Sequence, residues 1–157
     1  MPTDPAMSSA DCNCFAVRSA ARHVSQFYDQ LLAPSGLRTT QYSILAKVQR
    51  KGPLTINRLA EDMAMDRTTL GRNILPLERD GLIRIVPSPQ DRRAKELHLT
   101  KAGEKRLQAA RKGWSDAQAC FEETFGVRRA ADLRALLRAV VATVFEEEGA
   151  SKAGRVA

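Results

Sequence analysis

Aromatic residues are scarce in this chain, with five Phe, two Tyr and one Trp among 157 residues, and only two histidines occur, His23 and His98. Neither histidine stands in a metal-ligand spacing, and Cys12, Cys14 and His23 lack a fourth ligand, so no metal site and no cofactor is expected. Three cysteines, an odd number, argue against a disulfide framework, and Cys120 reads as a small core residue on an apolar helix face. No apolar run approaches the roughly 20 residues needed to span a bilayer, and no basic segment followed by an apolar stretch opens the chain. A cytoplasmic protein is therefore expected. A glycine-rich phosphate loop and a nucleophile with a partnered base are also missing, which argues against an enzyme.

Positive charge is what the sequence has in excess. Lys and Arg number 25 against 18 Asp and Glu, and residues 50–113 hold 15 basic and 8 acidic side chains while the remainder holds 10 of each. An excess concentrated in one segment points to a polyanionic partner. These basic residues are spread over several short elements rather than along one amphipathic helix, which argues against a membrane-surface segment. With 43% hydrophobic residues the chain has enough apolar material for one ordinary core.

The apolar pattern predicts six helices and a hairpin. From Cys14 to Leu32, Phe15, Val17, Val24, Phe27, Tyr28 and Leu31 recur at helical spacing until Pro34-Ser35-Gly36. Thr39 or Thr40 is expected to cap a second helix through Tyr42, Ile44, Leu45 and Val48, Thr55 a short third one, and Asp66 a fourth with Leu70, Ile74 and Leu77 on its apolar stripe. After Gly81 the period falls to two, with Ile83 and Ile85 opposite Arg84 and Val86, and alternation resumes around Leu97 and Leu99. Between these strands Pro87-Ser88-Pro89-Gln90-Asp91-Arg92-Arg93 forms a basic tip. Thr100 caps a fifth helix of about 20 residues with Leu107, Ala110, Trp114, Ala117 and Phe121 on one stripe. Gly126 separates it from a last helix that carries Leu133, Leu136, Leu137, Val140, Val141, Val144 and Phe145.

Helix, helix, short helix, capped helix, strand, basic turn, strand is the order of a winged helix-turn-helix, in which the fourth helix enters the major groove. Arg67, Thr68 and Thr69 at its start then offer hydroxyls and N–H groups to phosphates or base edges, with Arg72 and Asn73 one turn on suited to guanine and adenine. Arg92 or Arg93 on the wing suits a narrow minor groove, with Asp91 expected to pair with one of them and orient it. Lys95, Lys51, Arg50, Arg58 and Lys101 are flanking phosphate contacts or solvated charges. Pro76 is expected to kink or loosen the fourth helix around residues 72–76.

Leu59-Ala60, Asp66-Arg67-Thr68-Thr69-Leu70, Leu77-Glu78-Arg79-Asp80-Gly81-Leu82-Ile83, Asp91-Arg92-Arg93 and Leu99-Thr100-Lys101-Ala102-Gly103, in that order, resemble the MarR family of multiple-antibiotic-resistance regulators over residues 13–147. The resemblance implies a mainly α fold with a small β-hairpin wing. It also implies one unit with a winged-helix lobe over 39–100 and dimerisation helices over 13–33 and 101–147; the ends at 1–12 and 148–157, rich in Pro and small or polar residues, read as flexible. A homodimer on a near-palindromic DNA operator, acting as a repressor, follows from it. Release by a small molecule, often an aromatic acid, is a common family property. Arg18, Arg22 and His23 are the candidate anion partners for such an effector, with Tyr28, Tyr42 and Trp114 as walls. The rival expectation is thiol sensing of peroxide through Cys14, hydrogen-bonded by Tyr28, with Cys12 as a resolving partner; a non-specific architectural DNA-binding protein is a further alternative.

Overall fold

The computed structural model describes residues 11–145, so the expected flexible C-terminus at 148–157 and all but Asp11 and Cys12 of the N-terminal segment lie outside it. The chain forms two compact units that divide after Cys120. In the first, α1 (Asn13–Leu32) is followed by a single 3-10 turn (Ala33–Ser35), α2 (Thr39–Lys51), β1 (Leu54–Thr55), α3 (Ile56–Asp62), α4 (Arg67–Arg79), β2 (Ile83–Pro87), β3 (Lys95–Leu99) and most of α5 (Lys101–Phe125). The second holds the last turn of α5 and all of α6 (Val127–Ala142).

The expected hairpin is part of a three-stranded antiparallel sheet in the order β1-β3-β2. Leu97, fully buried, lies opposite Ile85 on one side and Leu54 on the other. Two residues are too few to show a period-two pattern, so β1 had no sequence signature of its own. Pro87 closes β2 instead of lying outside it, because β2 is an edge strand and an edge proline removes no ladder donor.

Helix ends follow side-chain chemistry. Thr55 accepts from the Arg58 N–H at 3.2 Å, Asp66 from the Thr69 N–H at 2.8 Å, and Thr100 from the Gly103 N–H at 3.0 Å. The start of α2 differs from expectation. Its cap position is Arg38, whose N–H is taken by Gln41 Oε1 at 3.0 Å, and Thr39 donates its N–H to Asp29 Oδ1 at 2.6 Å. A carboxylate from α1 thus satisfies one of the free N–H donors of the first turn of α2. At the far end α6 stops at Ala142, where Thr143 turns extended and its hydroxyl donates to Ala139 O at 2.9 Å, leaving Val144 and Phe145 beyond the helix.

One core joins the helices and sheet of the first unit. Leu32, Ile44, Leu45, Leu59, Leu70 and Leu107 are buried in it. Gly103 permits the tightest approach, since a Cβ there would stand 2.0 Å from the Leu82 carbonyl oxygen. Cys120 is exposed rather than part of this core. The buried positions of α5 run through Gly103, Leu107, Ala110 and Ala117, and Cys120 lies off that stripe.

Candidate nucleic-acid interface

Asp66 and the apolar stripe together fix α4. Leu70, Ile74 and Leu77 are buried, so helical geometry turns Thr68, Arg72, Leu75 and Arg79, which recur at i, i+4, i+7 and i+11, to the opposite face, and all four are exposed. The Asp66 carboxylate accepts both the N–H and, at 2.6 Å, the hydroxyl of Thr69. These bonds hold its pKa below the ordinary carboxylate value, the hydroxyl bond contributing most. Thr69 therefore serves the helix start with its hydroxyl proton, whereas Arg67 and Thr68 are exposed and no hydrogen bond or ion pair engages their side chains among the described residues. Asn73 Nδ2 donates to the Thr69 carbonyl at 2.9 Å, which turns the amide along its own helix. Pro76 sits inside α4, yet the helix runs on through Arg79.

The wing tip is closed by its own backbone. Ser88 N–H donates to Ala94 O at 2.8 Å and Ala94 N–H to Asp91 O at 2.9 Å. Asp91 Oδ1 accepts the Arg93 N–H at 2.9 Å, and no ion pair joins Asp91 to Arg92 or Arg93 among the described residues. The acid therefore shapes the turn instead of orienting a guanidinium, because its short side chain reaches the N–H two residues on. Arg92, Arg93 and Lys95 are left exposed.

Ser88, the only buried polar residue among those described, is a tip residue that sequence reasoning missed. Its hydroxyl donates to Glu96 Oε1 at 2.6 Å and ties the turn to β3. His98 Nε2 lies 3.4 Å from Glu96 Oε2, within ion-pair range but without hydrogen-bond geometry. Alternation gave Glu96 and His98 a common face, but not the hydroxyl reaching them from the loop.

Two of the flanking cations have structural work. Lys51 Nζ at the end of α2 meets Asp62 Oδ2 at 2.6 Å, fastening α3 to α2, and Arg58 Nε meets Asp62 Oδ1 at 3.5 Å one turn away within α3. The Lys51 hydrogen bond is the main cause of a lowered Asp62 pKa.

The effector candidates divide. Tyr42 on α2 and Trp114 on α5 stack with centroids 5.8 Å apart and planes 13° from parallel. They line a cleft of about 390 Å³ together with Ala46, Gln49, Leu107, Arg111 and Ser115. Arg111, not among the expected residues, donates to Gln49 Oε1 at 3.0 Å. Burial raises the Tyr42 phenol pKa, and the Arg111 charge opposes that rise. Arg18, Arg22 and His23 are exposed on α1 and do not line this cleft, and Arg22 donates to Ser19 Oγ at 3.3 Å. Tyr28 donates its hydroxyl to Gln118 Oε1 at 2.7 Å. Of the thiols, Cys14 is exposed, and Cys12 accepts the Phe15 N–H on its sulfur at 3.5 Å as the cap of α1. Both are free, and no group of three metal-ligating side chains occurs among the described residues.

A capped helix with a cationic outer face beside a closed basic hairpin defines a winged helix-turn-helix protein. Residues 37–95 match the model of the MarR family. A crystal structure of the M. tuberculosis transcriptional regulator MosR is 36% identical, spans 87% of this chain and all of that one, and has a TM-score of 0.73. The same regulator in complex with DNA is 38% identical, spanning 83% of this chain and 97% of that one, also with a TM-score of 0.73. An organic hydroperoxide resistance transcriptional regulator of Bacillus subtilis is 28% identical over 57% of this chain and 61% of its own length. Matches to the curated relatives span between 43% and 66% of their lengths. This chain belongs to the MarR family of transcriptional regulators.

Proposed function

We propose that this regulator binds a near-palindromic DNA operator as a homodimer, acts as a repressor by occupying it, and lets go when a small planar anion enters the cleft beside Tyr42 and Trp114. The observation that carries the DNA reading is the outer face of α4, where Thr68 and Arg72 stand free opposite a stripe locked into the core. The likeness to MosR, of which a DNA complex is known, supports it. Exposed apolar side chains support self-association: Leu136 is 67% exposed and Val141 69% on α6, and Phe15 is 51% exposed on α1. Selection of duplexes from a random pool by the full chain tests this reading. Arg72→Ala is expected to relax preference at one base pair, and Lys95→Ala to weaken all duplexes alike and flatten the salt dependence by about one counterion. Equal effects from both would favour a non-specific architectural protein.

For the effector, the cleft supplies two stacked aromatic walls and one guanidinium, Arg111, suited to a carboxylate. The single Trp reports on it: benzoate or salicylate is expected to change Trp114 fluorescence and to dissociate the duplex, and Arg111→Ala to abolish both responses. Exposure of Cys14 favours a second reading, peroxide sensing, supported by the hydroperoxide resistance relative. Loss of binding on peroxide treatment that Cys14→Ser resists, with indifference to aromatic acids, would put this second reading first.

A further inference from the structure

Gly71 occupies the fifth position of α4, well inside a thirteen-residue helix, where glycine is less favourable than alanine because it loses more backbone freedom on folding. Nothing among the described residues calls for it. Its φ is not in the left-handed region, and a Cβ built there would meet no atom within 4 Å. At Gly103 and Gly113, by contrast, the added carbon would lie 2.0 Å from Leu82 O and 2.3 Å from Leu31 O, so there the chain's own packing demands glycine. One turn beyond Gly71 stands Leu75, 63% exposed on a helix whose other leucines and isoleucine are buried. Gly71 and Leu75 share the face that also carries Thr68 and Arg72, with Arg67 at its edge and Arg79 at its far end. A bare backbone, an uncovered apolar side chain and several guanidiniums on one helix face fit an anionic partner that approaches closely and presents apolar groups at its floor. The major groove of duplex DNA, with phosphates along its rims and thymine methyl groups inside, has that character.

Resting on the DNA reading above, we propose that Gly71 marks the line of closest approach between α4 and the major-groove floor. Its missing side chain provides clearance, and Leu75 packs on the C5-methyl group of a thymine. The two residues act differently, one by leaving room and the other by filling it.

The probe is the duplex most enriched by the full wild-type chain from a random pool. Gly71→Ala is expected to raise the thermal midpoint of the protein while weakening binding of that duplex about tenfold or more, the loss expected of a disturbed base-pair contact. Replacing thymines one at a time by deoxyuridine is expected to cost the wild type roughly fourfold at a single position, the worth of one buried methyl group, and to cost Leu75→Ala nothing there. Unchanged affinity in Gly71→Ala, or a fall in its thermal midpoint with the affinity, would overturn the clearance role. Indifference of the wild type to every deoxyuridine would overturn the Leu75 contact. Failure of the wild type to enrich any duplex would remove the DNA reading itself, and is distinguishable from normal enrichment with insensitive variants.

Discussion

Ala64 carries a φ of 50°, the one left-handed non-glycine among the described residues, at the turn between α3 and α4 where Ala64 N–H donates to Glu61 O and Met65 N–H to Ala60 O. Its Cβ is strained in that conformation, so Ala64→Gly is expected to stabilise the protein by roughly 0.5–1 kcal/mol in urea unfolding; a destabilised variant would contradict this. Asp66 gives a pH dependence at the same turn. Its carboxyl binds a proton less readily when folded than when unfolded, because Thr69 donates twice to the charged form. The stability it contributes is therefore complete above the ordinary carboxylate pKa and is lost as pH falls through the lower folded value. Acid unfolding of Asp66→Asn, followed by circular dichroism, is expected to show a shallower pH dependence than the wild type below about pH 4.

At the scale of elements the wing depends on one buried hydroxyl. Ser88→Ala removes the donor to Glu96 Oε1 and is expected to cost roughly 1.5–3 kcal/mol, the range for hydrogen bonds to charged groups, and to weaken operator binding although Ser88 itself is buried. Unaltered stability and binding would show that the backbone bonds of the tip suffice. The junction of α5 with the turn before β2 depends on clearance. Gly103→Ala would drive a methyl group against Leu82 O, and a loss of about 1–3 kcal/mol or more is expected in urea unfolding. Both roles escaped sequence reading for the same reason: Ser88 reads as a turn residue and Gly103 as the end of the Leu99-Thr100-Lys101-Ala102-Gly103 stretch, and only their neighbours across the fold give them their roles.

For the whole molecule, the exposed apolar residues of α6 and the basic wing make separable predictions. Leu136→Asp combined with Val141→Asp is expected to shift the protein to monomers in analytical ultracentrifugation and to weaken operator binding through loss of the second half-site. Arg92→Glu with Arg93→Glu is expected to leave the sedimentation unchanged and to reduce operator affinity at low salt most. A dimer that survives the first change, or DNA binding that survives the second, would refute the corresponding part of the proposed function.

The sequence by itself determined the order of the six helices and the hairpin, the caps at Thr55, Asp66 and Thr100, the family, and the outward row of Thr68 and Arg72. Each of these rests on interactions within a few residues of chain, where helical period and short side-chain-to-backbone bonds leave a pattern that can be read. Tertiary structure alone decided the rest: that Asp29 of α1 serves the start of α2, that Leu54 and Thr55 complete the sheet, that Lys51 of α2 is held by Asp62 of α3, and that Arg111 rather than Arg18, Arg22 or His23 flanks the aromatic cleft. These contacts join residues distant in sequence, and the spacing of residues along a chain carries no record of which of its exposed charges the fold will bring together.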